Sequence, residues 1–156
     1  MTQLFLDMDG VLADFDRGWE LHFGTPFLRD EKGQYIKEDI DWSTIPDDFF
    51  RHLPPMEDLE ELLSYTTRHN PIVLTGVPKS LTHVPNHKLA WAAQHLGPNI
   101  EVRCCYSREK CLHANTGDIL IDDWEKYKSL WIKKGGIWIT HTNTKSTISQ
   151  LKALGW

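Results

Sequence analysis

The sequence predicts an α/β fold built on a doubly wound, mainly parallel sheet, with an insertion after its first strand. Three observations lead there. Short apolar runs bounded by turn residues recur along the chain, and helical periodicities lie between them. The 156 residues, 40% of them hydrophobic, also suffice for one sizeable core without disulfide or metal support.

Strands are expected at Leu4–Leu6, Ile72–Leu74, Ile100–Cys104, Ile119–Ile121 and Ile137–Ile139. Helical faces are expected from Met56, Leu59, Leu62 and Leu63, and then from Leu89, Ala92, Ala93 and Leu96. Trp124, Tyr127 and Trp131 form a third stripe, and Ile148, Leu151 and Leu154 a fourth; packing against a sheet accounts for such stripes without invoking a ligand. Strands alternating with helices imply right-handed crossovers and a Rossmann-like parallel sheet covered on both faces. Pro98-Asn99, Thr116-Gly117-Asp118 and Gly135-Gly136 supply short connections in the second half. Residues 16–55 break the pattern. They are rich in Asp, aromatic residues and Pro, with a turn at Glu31-Lys32-Gly33-Gln34, and read as a small insertion within one domain spanning 1–156.

Composition narrows the function. Lys and Arg total 17 against 22 Asp and Glu, a net charge of −5, which disfavours a protein that grips a nucleic acid polymer. No run approaches the ~18 apolar residues of a membrane helix, so no membrane partner is expected. The first residues lack the basic start and apolar stretch of a signal peptide. Three clustered cysteines, Cys104, Cys105 and Cys111, do not form a secreted disulfide framework, so the expected compartment is the reducing cytoplasm. A homodimer is compatible with the sequence.

The most informative stretch is Leu4-Phe5-Leu6-Asp7-Met8-Asp9-Gly10-Val11-Leu12-Ala13-Asp14-Phe15. A short apolar strand runs into two Asp separated by one residue, then a Gly that permits a turn. Ligands of open α/β sheets sit beyond the carboxyl ends of the strands, where Asp7 and Asp9 would fall. Neighbouring carboxylates repel unless a cation or proton is shared, which suits a hard divalent metal such as Mg²⁺. The plainer alternative is an Asp-rich turn leading into a helix. Further strand ends weigh against it: Thr75-Gly76 follows the second strand, Asp122-Asp123 the fourth, and Lys110 stands in the loop between. Carboxylates, a hydroxyl and an ammonium would then share one sheet edge.

This ordered set resembles the haloacid dehalogenase (HAD) superfamily of Mg²⁺-dependent phosphohydrolases over nearly the whole chain. Asp7-Met8-Asp9-Gly10-Val11 is similar to motif I, Thr75 to motif II, Lys110 to motif III and Asp122-Asp123 to motif IV. Within it, the chain resembles the 5′(3′)-deoxyribonucleotidase family. That similarity rests on the first stretch, on Phe50-Arg51-His52-Leu53-Pro54-Pro55-Met56, on Lys88-Leu89-Ala90-Trp91 leading to His95-Leu96-Gly97, and on Leu120-Ile121-Asp122-Asp123.

The resemblance implies a HAD-like fold in which residues 16–55 form a small cap over the site. It implies Asp7 as nucleophile, giving an aspartyl-phosphate, and Asp9 as general acid and then base. Asp7 and Asp9 would hold Mg²⁺ together with one or both of Asp122 and Asp123. Thr75 and Gly76 would hold phosphoryl oxygens, while Lys110 would offset charge. Lys88 is an alternative motif III lysine and otherwise a substrate contact. Asp14 is either part of the motif or simply a polar residue of the first helix. Trp124 stands where relatives often carry a basic residue. The implied substrate is a small phosphorylated molecule, a nucleoside monophosphate. Another phosphoester such as a sugar phosphate, or a non-catalytic phosphate-binding module, are the alternatives.

Other residues read as structure. His83 and His87 lie four apart but bring no further ligand motif, and Cys104, Cys105, Cys111 and His113 lack zinc spacing. Lys126, Lys128, Lys133 and Lys134 are expected on a solvated helix face. Phe23, Phe27, Phe49 and Phe50 suit the insertion's own core. Trp42, flanked by Asp39, Asp41 and Ser43, is the ring expected to be exposed and to stack on a base.

Overall fold

Five strands pair wholly in parallel: β1 (Leu4–Leu6), β2 (Ile72–Gly76), β3 (Glu101–Cys105), β4 (Ile119–Asp122) and β5 (Ile137–Thr140). Their order is β3-β2-β1-β4-β5, so the direction of winding reverses at β1. The computed structural model describes residues 1–156. Its helices are α1 (Phe15–Phe23), α2 (Leu59–Thr66), α3 (Val84–Leu96), α4 (Lys128–Lys133) and α5 (Thr144–Ala153). None is long and apolar enough to cross a membrane.

Side chains alternate across a strand, and the core divides accordingly. Leu4, Leu6, Val73, Ile119 and Ile121 point to one face, where they meet Phe15, Leu62, Trp91 and Leu151. Phe5, Ile72, Leu74 and Leu120 point to the other and pack with Trp131 of α4. The sheet is therefore covered on both faces, as a doubly wound Rossmann-like sheet requires.

Where the helical faces differ from expectation, polar anchors set them. Leu89, expected inside, is 45% exposed, and α3 buries Val84, Lys88, Trp91 and Ala92 instead. The helix is rotated so that the Trp91 indole donates to the Leu53 carbonyl at 2.7 Å and Lys88 reaches the strand ends. Leu154 lies beyond the end of α5 and is exposed. Trp124 and Tyr127 precede α4, so only Trp131 of that stripe is core. β3 runs one residue later than expected, with Glu101 in register with Ile72.

Asp14 proves to be the N-cap of α1: its side chain accepts from the Arg17 amide at 3.0 Å. Beyond α1, the insertion has little regular structure. Arg29 and Tyr35 form an antiparallel bridge around Gly33 (φ 75°), and short 3-10 turns follow at Trp42–Thr44 and Phe50–His52. Phe15 organises it, with the rings of Trp19, Phe27, Tyr35, Phe49 and Phe50 between 5.1 and 6.3 Å away. These rings join the main cluster, so sheet and insertion share one core.

Candidate active site

Winding reverses at β1, so the crossovers on either side of it diverge and leave a crevice at its carboxyl end. Asp7 stands there, its amide extending the ladder to the Ile121 carbonyl at 2.9 Å. The chain then turns tightly, with the Leu12 and Ala13 amides both donating to the Met8 carbonyl. This turn carries Asp9 back over the edge. Asp122 and Asp123 leave the adjacent β4, and carboxylate oxygens of Asp7, Asp122 and Asp123 lie within 4.8 Å of one another.

Gly10 makes this approach possible. Its φ is +85°, and a Cβ there would sit 2.0 Å from Asp123 Oδ2. Gly10→Ala is expected to destabilise the protein by about 1–2 kcal/mol from the backbone conformation alone, and more from displacing Asp123. Chemical denaturation checks this; a variant as stable as the wild type would show that the turn tolerates a side chain.

Two lysines divide the carboxylates between them. Lys110, in the 3-10 stretch Ser107–His113, donates to Asp7 Oδ1 and Asp122 Oδ2, both at 2.7 Å. Lys88, 1% exposed, donates at 2.8 Å to Asp9 Oδ2, Thr75 Oγ1 and the Gly76 carbonyl. The sequence posed these lysines as alternatives; the fold uses both. Thr75, expected to face a phosphate, is fully buried with its hydroxyl engaged by Lys88. Gly76 and Ser107 line the recess instead.

Burial raises the Asp7 pKa, the Asp122 charge adds to this, and Lys110 opposes it. Asp123 is pushed well up, by burial first and then by Asp122 and Asp7. For Lys110 burial acts against the ammonium, but Asp122 and Asp7 outweigh it and keep it charged. Asp9 Oδ1 and Asp123 Oδ1 are buried without any hydrogen-bond partner. Clustered carboxylates held partly against their ionisation, with oxygens left unpartnered, fit a hard divalent cation. No other group of three or more His, Cys, Asp and Glu side chains is close enough to share an ion. The three cysteines are free, and burial pushes the Cys105 thiol up to about 11, which makes it a poor metal ligand or nucleophile.

A recess of about 30 Å³ beside Asp7, Asp9 and Lys110 shares lining residues with an outer cleft of about 350 Å³. Trp42, half-buried rather than free, lines that cleft with Phe50, their ring centroids 6.3 Å apart. Lys126, expected on a solvated face, lines it too and pairs with Glu38.

Lys37, from the insertion, lines both recess and cleft, and sequence reasoning did not single it out. A lone lysine followed by Glu38 and Asp39 carries no periodicity or motif to reveal it. Its neighbours are tied to the Asp123–Lys126 loop. The Gln34 amide group donates to the Asp123 carbonyl at 3.3 Å and accepts from the Glu125 amide at 2.7 Å, while the Trp124 indole donates to the Tyr35 carbonyl at 3.1 Å.

The sequence is 27% identical to the mitochondrial 5′(3′)-deoxyribonucleotidases of Mus musculus and Homo sapiens, over 78% of this chain and 64% and 61% of theirs. It is also 27% identical to the human cytosolic-type 5′(3′)-deoxyribonucleotidase, over 78% of this chain and 70% of that one. The chain thus spans less than two thirds of the mitochondrial relatives' length. A HAD family hydrolase from Deinococcus radiodurans R1, solved with bound phosphate and sodium, aligns with a TM-score of 0.49 at 13% identity, over 88% of this chain and 79% of that one. No protein-family model matches the sequence.

Proposed function

We propose that this chain is a Mg²⁺-dependent phosphomonoester hydrolase acting on nucleoside monophosphates, in the manner of a 5′(3′)-deoxyribonucleotidase. The observation that carries the reading is the pairing of Asp7 with Lys110 and of Asp9 with Lys88 at the end of the central strand. Two carboxylates with separate cationic partners can hold different roles.

The oxygen of Asp7 that Lys110 does not hold attacks phosphorus, forming an aspartyl-phosphate as the ester P–O bond breaks. Asp9 gives its proton to the leaving oxygen. It then takes one from water as that water attacks the phosphoenzyme and releases orthophosphate and Asp7. Lys110 offsets part of the cost of an ionised, buried Asp7, and Lys88 orients Asp9 with Oδ1 left free for the proton. Thr75 acts through Lys88, while Gly76 and Ser107 face the phosphoryl oxygens. Asp7, the Asp9 backbone carbonyl, Asp122 and Asp123 would hold Mg²⁺, which supplies positive charge against the phosphate when bound. Residues 16–55 serve as the cap that narrows the cleft, and Trp42 and Phe50 offer rings to a base.

Phosphate release from a panel of nucleotides and sugar phosphates, with Mg²⁺ and with EDTA, tests this. Metal-dependent release from nucleoside monophosphates is expected. Sugar phosphates outrunning every nucleotide in kcat/KM by about tenfold, roughly 1.4 kcal/mol of transition-state binding, would overturn the substrate class. Trp42→Ala is expected to cost about 1 kcal/mol of nucleotide binding, read as a several-fold rise in KM. An unchanged KM removes the stacking role.

A pH dependence follows from the carboxylates. Asp7 and Asp123 have native pKa values above the unfolded 3.8, so the native state binds more protons than the unfolded one. Their contribution is full below the unfolded value and is lost as pH rises through the native ones. Bound Mg²⁺ takes the place of those protons. The difference in Tm between Mg²⁺ and EDTA should therefore widen from about pH 5 to about pH 8. A pH-independent difference would argue against these carboxylates as the ligands.

A further inference from the structure

Three lysines reach the carboxylate cluster, and only two have partners. An ammonium has three N–H donors. Lys88 places its bonds on Asp9, Thr75 and Gly76, and Lys110 places two on Asp7 and Asp122. Lys37 makes no side-chain hydrogen bond and no ion pair. Its Nζ stands 4.4 Å from the Trp124 ring centroid, 4.9 Å from that of Tyr35 and 5.7 Å from that of Phe15. Aromatic faces hold the charge in position without accepting its protons. Lys37 is half-buried at the wall of the cleft, and burial lowers its pKa even though Asp9, Asp123 and Asp7 favour the charge.

Nor is Lys37 there by slackness of the loop. Gln34 and Tyr35 on one side and Glu38 on the other are fastened to residues 123–126, so the backbone that carries Lys37 is held across the recess. The site thus maintains, at the mouth of the recess containing Asp7 and Asp9, a fixed cation with all its donors free. The complement to such a group is an anion with several acceptors, entering from the cleft. A phosphoryl group has that chemistry.

We propose that Lys37 is a phosphate-binding residue, donating to a non-bridging phosphoryl oxygen, so that the 16–55 insertion completes the phosphate site itself. This rests on the phosphate-binding part of the function proposed above. The ligand supplies the acceptors that Lys37 lacks, while Lys110 and Lys88 remain with the carboxylates they orient.

The test uses the whole chain with Mg²⁺ and compares wild type, Lys37→Met and Lys37→Arg. Orthophosphate binding is measured by calorimetry, and kcat/KM is measured on a deoxynucleoside 5′-monophosphate and on p-nitrophenyl phosphate, which has no base or sugar. Lys37→Met is expected to weaken orthophosphate roughly ten- to a hundredfold, the scale of a charge-assisted hydrogen bond, and to lower kcat/KM on both substrates by a common factor. Lys37→Arg should restore most of both. Circular dichroism checks folding; should Lys37→Met fail to fold, Lys37→Gln carries the same comparison. Unchanged orthophosphate affinity, or a loss confined to the nucleotide, overturns the proposal. A wild type that binds orthophosphate through Lys37 yet hydrolyses neither substrate sinks the hydrolase reading while leaving Lys37 in place. A wild type that binds no orthophosphate overturns the Lys37 assignment.

Discussion

Asp7→Asn is expected to reduce phosphate release by about 10³-fold or more, the scale of losing a nucleophile that acts as a unit with its partners. The amide matches the carboxylate in shape, and its oxygen can still accept from Lys110, now at 2.7 Å from Asp7 Oδ1. What disappears is the electron pair that would bond to phosphorus. Folding should survive, because burial and the Asp122 charge already work against an ionised Asp7. Steady-state phosphate assays and thermal melts on the same preparation separate the two effects. Activity within about tenfold of wild type would rule out Asp7 as the nucleophile of an aspartyl-phosphate.

Lys110→Met is expected to be the most damaging change to stability among the site residues. It leaves Asp7 and Asp122 buried and facing one another without the ammonium that bridges them. Removing one partner of a buried charge group costs about 3–5 kcal/mol, because the remaining charges stay desolvated. Stability should recover as pH falls. With the bridging ammonium gone, Asp7 holds its proton more tightly still, and a protonated Asp7 no longer repels Asp122. Mg²⁺ should recover part of the loss near neutral pH by another route, the cation standing in for the ammonium. Denaturation with Mg²⁺ and with EDTA, at two pH values, checks this. A variant as stable as wild type in EDTA at neutral pH would show that the carboxylates do not depend on Lys110.

Both predictions begin from residues the sequence already marks, for a physical reason. A short continuous apolar run, buried on both faces of the sheet and followed by Asp, encodes a strand and its carboxyl end within a few residues. The sequence alone therefore determined the five strands, the parallel α/β class and the placing of Asp7, Asp9, Asp122 and Asp123 along one edge. Gly10 was legible too, as a turn, though the reason for it, the Asp123 carboxylate against its α-carbon, was not.

Only the tertiary structure decided which cation serves which carboxylate. Lys110 meets Asp7 across 103 residues of sequence and Lys88 meets Asp9 across 79, and no local pattern carries such a pairing. The same holds for the Lys88 contact that engages the Thr75 hydroxyl, and for Leu89, left outside because Lys88 and Trp91 fix the rotation of α3. Lys37 is the extreme case. It comes from a segment with no strand or helix period, and it reaches the recess only because residues 34–38 are fastened to the loop after β4. Periodicity positions an element against its neighbours; a single side chain from an irregular loop is positioned by contacts that exist only once the chain has folded.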